Sequence, residues 1–122
     1  MGTHPANLVV RFLLEMSALC VMGLWGWHRR DDGLRILVAL AIPLLAAALW
    51  GTFAVPHDPT RSGSAPIPVS GILRLALECG FFGFAIWALS DLKFARLAAV
   101  FGAAVTVHYA LSYDRIRWMV GQ

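Results

Sequence analysis

The segment Arg11-Phe12-Leu13-Leu14-Glu15 places two opposite charges inside an apolar run that extends from Leu8 to Trp27. The same arrangement returns as Arg74-Leu75-Ala76-Leu77-Glu78. In each copy the arginine and the glutamate are four residues apart, so a helix places them on one face. Both copies lie near the start of a segment that is long enough to cross a bilayer. Two matched pairs at membrane depth must find partners, and they are the main clue to the fold.

The composition favours an integral membrane protein. Of the 122 residues, 59% are hydrophobic and 14% are charged, which is unusual for a soluble domain of this size. Four apolar segments, at about 6–28, 34–55, 69–90 and 94–113, each hold about 20 residues, enough to cross a hydrocarbon core of about 30 Å. We therefore expect one transmembrane domain over residues 1–122, with a long loop at 56–68 that is rich in Pro, Ser and Gly.

The short turns between segments predict an all-α, four-helix, up-down-up-down bundle. Comparison of each residue with the one 63 positions later indicates an internal repeat, which places Asn7 on Ser70, Arg11 on Arg74, Glu15 on Glu78 and Trp50 on Tyr113. The bundle is then expected to consist of two repeated helical hairpins, related by an axis along the membrane normal.

The four charges are expected to pair with one another. A lone charge at the centre of a membrane helix costs roughly 2.5–3.5 kcal/mol, and Arg before Glu at this spacing is the weaker order within a helix. We therefore predict crossed pairs, Arg11 with Glu78 and Arg74 with Glu15, which hold helices one and three together. In the alternative, Glu15 and Glu78 line a polar cavity of a small transporter or channel and bind a cation, a proton or a small substrate.

Four further residues are candidates for supporting roles. Asn7 and Ser70 are candidate N-caps of helices one and three. Trp50 is interpreted as an interfacial belt residue, with the wall of a cavity as the alternative. His108 is interpreted as a core histidine bonded to a backbone carbonyl, with a haem or quinone ligand as the alternative. No second axial ligand, zinc motif, P-loop or catalytic triad is recognisable, so we expect no metal, no cofactor and no enzymatic activity.

The basic residues orient the chain, and we expect no nucleic acid to bind. The side with the short turns carries five (Arg29, Arg30, Arg35, Lys93 and Arg96), and the side with the termini and the long loop carries three (Arg61, Arg115 and Arg117). This difference favours cytoplasmic short turns and termini outside the cytoplasm. Counting Arg11 and Arg74 with the terminal side would make the two sides equal. The expected partners are the lipid bilayer and either a second copy of the chain or a larger membrane complex that it serves as an accessory subunit.

Several of these motifs together resemble the YrdB family of small bacterial membrane proteins. The resemblance lies in Asn7-Leu8, the two Arg/Glu segments, and the run Leu49-Trp50-Gly51-Thr52-Phe53 followed by Pro56 and Pro59. It extends over nearly the whole chain and implies a four-helix bacterial membrane protein, without implying an activity. We therefore expect a non-enzymatic protein of the bacterial inner membrane.

Overall fold

A computed structural model of the chain describes residues 4–29, 31–58 and 65–122, and within them the chain is all-α, as predicted. Arg30 and Arg61, which were counted for the orientation, and Pro59, which is part of the family resemblance, lie outside these ranges. The described elements are the helices α1 (Pro5–Trp27), α2 (Leu34–Thr52), α3 (Gly71–Asp91), α4 (Ala95–Leu111) and α5 (Tyr113–Val120), and the two-residue strands β1 (Phe53–Ala54) and β2 (Ile67–Pro68).

Side-chain caps fix the starts of α1 and α3. The imidazole Nδ1 of His4 accepts a hydrogen bond from the Ala6 amide at 3.1 Å, and Pro5 suits the first helical position. The prediction that Asn7 caps α1 is therefore wrong, because Asn7 lies within the first turns and is buried. Ser70 does cap α3, since its hydroxyl accepts from the Leu73 amide at 3.2 Å.

The end of α2 is tied to the start of α3. Helix α2 ends at Thr52, three residues before the predicted boundary, because the chain there becomes extended and pairs in parallel with β2. The Val69 amide donates to the Ala54 carbonyl at 2.9 Å, immediately before the Ser70 cap. This short pairing brings the C-terminal end of α2 beside the N-terminal end of α3.

Contacts at the helix ends define the relative directions of α1, α3 and α4. Trp25 and Arg29, at the end of α1, contact the Asp91 carboxylate at the end of α3 at 2.9 and 3.2 Å, respectively. His108, near the end of α4, contacts Asn7 at the start of α1 at 3.0 Å. Helices α1 and α3 therefore run in the same direction, and α4 runs back against them.

The core lies between α1 and α3, where alanines allow close packing. Ala18 of α1 and Ala85 of α3 are fully buried, and Met22 and Phe82 fill the space around them. The outward faces are also apolar. Three helices, α1, α2 and α3, are each long and apolar enough to cross a membrane, and α4 and α5 meet the same criterion together across a 70° bend.

Candidate functional site

Glu78 is the centre of a buried cluster of charges. Its side chain has no solvent exposure. Arg74, one turn earlier in α3, donates from Nε to Oε2 at 2.8 Å. Arg115 of α5 donates from Nη1 to Oε1 at 2.9 Å and from Nη2 to Oε2 at 2.8 Å, and the Tyr109 hydroxyl of α4 donates to Oε1 at 2.6 Å. Both carboxylate oxygens are therefore saturated by donors from three helices.

Arg115 bridges Glu78 to a second carboxylate. Its Nε and Nη2 donate to Asp58 Oδ1 at 3.3 Å and Oδ2 at 2.7 Å, and both side chains are only 4% exposed. Helix α5 reaches this position because Gly71 has no side chain. A Cβ atom there would lie 1.6 Å from the carbonyl oxygen of Met119. The Arg115 guanidinium therefore links Asp58 to Glu78 of α3.

Arg74 also holds the C-terminal end of α2. Its Nη1 donates to the carbonyl oxygens of Trp50 at 2.5 Å and Phe53 at 2.6 Å, which lie where a helix leaves carbonyls without partners. The guanidinium carbon lies 4.4 Å from the centroid of the Trp50 ring, and the same ring packs against Phe81 at 4.4 Å. These contacts place the Trp50 ring against the cluster of charges, and the interpretations of Trp50 as a belt residue and as the wall of a cavity both stay predictions.

Arg11 and Glu15 form the more exposed side of the cluster. Arg11 Nε donates to Glu15 Oε1 at 3.1 Å, and Arg11 Nη2 lies 3.5 Å from Glu78 Oε2. The crossed arrangement expected from the repeat is therefore only half present. Within the described residues Arg74 bonds Glu78 and the end of α2 and does not bond Glu15, because those nearer acceptors already engage its guanidinium.

A second polar network joins α1 to the bend between α4 and α5. Asn7 Nδ2 donates to the Ser112 hydroxyl at 2.7 Å, and Asn7 Oδ1 lies 3.0 Å from His108 Nδ1. Because the Asn7 oxygen can only accept, His108 Nδ1 carries the proton. The predicted backbone partner of His108 is thus replaced by a side-chain amide. All three residues are buried, so this network fixes the register of α1 against α4.

The cluster is electrically balanced. Three guanidiniums face three carboxylates, a formal sum of zero; they belong to Arg11, Arg74, Arg115, Glu15, Glu78 and Asp58. Within the described ranges, no group of three or more His, Cys, Asp or Glu side chains is placed to hold a metal ion. Both oxygens of Glu78 already accept hydrogen bonds from side chains of the protein.

Arg115, Asp58, Tyr109 and Ser112 belong to the site although the sequence did not predict a role for them there. One signal for Arg115 exists: the run Tyr113–Val120 places Arg115 and Met119 four residues apart, on the buried face of a strongly amphipathic helix. Asp58 has no comparable signal, because it stands alone in a polar loop.

Comparisons with known proteins agree with the family resemblance. A family model described as "Protein of unknown function (DUF2568)" matches residues 9–106. The chain belongs to the DUF2568 family. This member is 36% identical over 119 residues to a protein of Bacillus subtilis (strain 168) described as "Uncharacterized protein YrdB", and the match covers 98% of this chain and 97% of that protein. The predicted relation to YrdB is confirmed. No solved structure matches this DUF2568 chain.

Proposed function

We propose that this DUF2568 protein is a small, non-enzymatic, multi-pass protein of the bacterial inner membrane, whose cluster of charges holds a four-helix, up-down-up-down bundle together. The observation that carries the proposal is Glu78, which has no solvent exposure and is bonded by Arg74, Arg115 and Tyr109, with Arg11 at 3.5 Å. A carboxylate in this state has a structural role, because both of its oxygens already have partners.

The outer surface supports the membrane part of the proposal. Four leucines of α2 are 58–67% exposed: Leu37, Leu40, Leu44 and Leu45. Such a continuous apolar face is a liability in water and is favourable in hydrocarbon. Arg29 stacks on Trp25 and Arg35 on Trp27, at 4.8 and 4.1 Å from the ring centroids, near the turn between α1 and α2. Paired aromatic and basic side chains are typical of the interface between lipid and water.

The energetics of buried charges support the architectural role. Removing one member of a buried ion pair costs about 3–5 kcal/mol, because the partner is left charged and unpaired in a medium of low dielectric constant. Here the Glu78 carboxylate contacts three arginines, one each on α1, α3 and α5. Its loss therefore leaves an excess of positive charge between these helices. The bundle then functions by binding another protein in the membrane, either a second copy of the chain or a larger complex that it serves as an accessory subunit.

Glu78→Gln tests the proposal, with Glu15→Gln as the matched control from the other Arg/Glu segment. We expect the full chain to be recovered in the membrane fraction. In detergent at neutral pH, Glu78→Gln should lose about 3–5 kcal/mol of stability. Glu15→Gln should lose clearly less, because the Glu15 side chain is 18% exposed and its ion pair is with Arg11, a neighbour on the same helix. Melting temperatures measure both effects. An unchanged melting temperature for Glu78→Gln would contradict the architectural role.

A small transporter or channel is the second candidate, and the exposure of Glu15 favours it. Glu15 is the most exposed carboxylate of the cluster, and Arg11 beside it is 12% exposed. If Glu15 lines a translocation path, Glu15→Gln should abolish cation or proton flux in proteoliposomes without lowering the melting temperature relative to the unmodified protein. Equal flux in the unmodified protein and the variant would exclude it.

A further inference from the structure

An apolar groove separates α2 from α3, beside the cluster of charges. It consists of two adjoining cavities of about 420 and 410 Å³, which share Leu49, Ala76 and Leu77 in their walls. We call it the α2–α3 groove. One end lies at Phe53, the first residue of β1, and Val69, just after β2, and the other lies at Met22 and Phe84, in the second halves of α1 and α3.

The chemistry of the walls excludes a polar ligand. Every described lining side chain is aliphatic, aromatic or a thioether, and among them the Trp50 indole alone carries a polar nitrogen. A hydroxyl, amide or charge placed in the groove would lose its hydrogen bonds to water without gaining protein partners. Walls of this kind favour contact with hydrocarbon over contact with water.

The shape of the groove excludes a thick occupant. Its α3 wall runs from Leu73 to Phe84, about 16 Å at 1.5 Å per residue. A helix about 10 Å across occupies on the order of 1,000 Å³ over that length, more than the two adjoining cavities of about 420 and 410 Å³ hold together. Gly80 leaves further room along this wall, since a Cβ atom built on it has no neighbour within 4 Å. The groove therefore fits a slender chain of methylene groups.

We infer that the α2–α3 groove binds one acyl chain of a membrane phospholipid. The inference rests on the proposed membrane location, because the bilayer supplies hydrocarbon chains and little else that is both slender and apolar. The headgroup lies at the level of Phe53 and Val69, where the apolar helices give way to the strands. The acyl chain extends from there along Leu73, Ala76 and Gly80 towards Phe84.

Two glycines of α3 provide a matched pair of variants. Gly80 lines the groove, whereas Gly83 does not, and a Cβ atom on either has no neighbour within 4 Å. Both residues are exposed. Gly80→Leu therefore fills the groove, and Gly83→Leu adds the same side chain to the same helix outside it. The full chain and both variants are purified from membranes in a mild detergent, and native mass spectrometry counts the phospholipids that each retains.

We expect one retained phospholipid on the unmodified chain and on Gly83→Leu. On Gly80→Leu the bound fraction should fall about tenfold or more; starting near saturation, this requires the dissociation constant to rise by more than tenfold, or more than about 1.4 kcal/mol of binding free energy. Helix content and elution volume check that the variants are folded, and Ala76→Leu replaces Gly80→Leu if the latter fails this check. Equal retention in folded groove-filling and control variants would overturn the inference. So would a dimer of the unmodified chain that Gly80→Leu converts to a monomer, because a second copy would then occupy the groove. Recovery of the unmodified chain in the soluble fraction would overturn the membrane proposal itself, and the acyl-chain site with it.

Discussion

The contacts of Arg115 require the planar shape of its guanidinium as well as its positive charge. Its three guanidinium nitrogens make four hydrogen bonds to two carboxylates, those of Glu78 and Asp58. A planar fork can reach two carboxylates at once, whereas an ammonium group is a compact point charge that cannot reproduce this geometry. Charge alone therefore does not specify this position.

Arg115→Lys should destabilise the protein although it conserves the charge. Hydrogen bonds to charged groups contribute about 1.5–3 kcal/mol each, and lysine must give up at least one of the four. We expect a clear fall in melting temperature in detergent. Arg117→Lys is the control, because Arg117 lies on the same short helix and stacks on the exposed Tyr113. Equal effects of the two substitutions would mean that the fork of Arg115 is not required.

The charges that the sequence revealed are those that stand in apolar surroundings. Arg11, Glu15, Arg74 and Glu78 attract attention because a charge within an apolar run is costly unless it is paired. Asp58 and Arg115 lie in polar segments, where a charge is ordinary: Asp58 carries no signal of burial, and Arg115 carries only the amphipathic pattern of its short helix. Only folding brings Asp58 and Arg115 beside the four charges of the apolar runs. The four could therefore be predicted from the sequence, and the other two could not.

At the scale of elements, α5 differs most from expectation. It has eight residues, and three of them, Asp114, Arg115 and Arg117, are charged, so its sequence alone does not indicate a membrane-embedded helix. Yet it carries the buried Arg115 and the fully buried Met119, and it bends 70° from α4 to pack against α3. The amphipathic pattern indicates a helix with one buried face, but the surface that buries this face becomes known only from the fold.

The internal repeat also has limits at the scale of elements. Trp50 packs against Arg74, with the guanidinium carbon 4.4 Å from the ring centroid. Tyr113, its counterpart 63 residues later, is 59% exposed. The two positions therefore have different surroundings, and the two-hairpin repeat stays a prediction.

Gly71→Ala should displace α5 from α3. The added Cβ would overlap the Met119 carbonyl, which is backbone and cannot rotate away. We expect a lower melting temperature and faster proteolysis near Tyr113–Val120, because Arg115 then leaves Glu78. Gly83→Ala is the control. Its Cβ meets nothing within 4 Å, and alanine is favoured over glycine in a helix by roughly 1 kcal/mol. A stable Gly71→Ala variant with protected α5 would show that the close approach is not needed.

At the scale of the whole molecule, the distribution of basic residues predicts the orientation. Short turns in the cytoplasm and termini outside follow from the excess of Lys and Arg at the turns. In a Cys20→Ser, Cys79→Ser background, a membrane-impermeant maleimide should label Gln122→Cys in intact spheroplasts. It should label Gly33→Cys only after lysis, because Gly33 lies in the turn between α1 and α2. The reverse pattern would invert the orientation, and labelling of both in intact spheroplasts would contradict a sealed bundle.

The order in which the chain is synthesised gives the balance of charges a further meaning. Arg11 and Glu15 emerge from the ribosome together, and so do Arg74 and Glu78, each pair four residues apart. Arg115 follows Glu78 by 37 residues and Asp58 by 57. The Arg/Glu segments of α1 and α3 are thus each neutral as soon as they are synthesised, whereas Asp58 meets its arginine only when α5 has been made. Arg115 therefore completes the cluster last, after both carboxylates that it contacts have been synthesised.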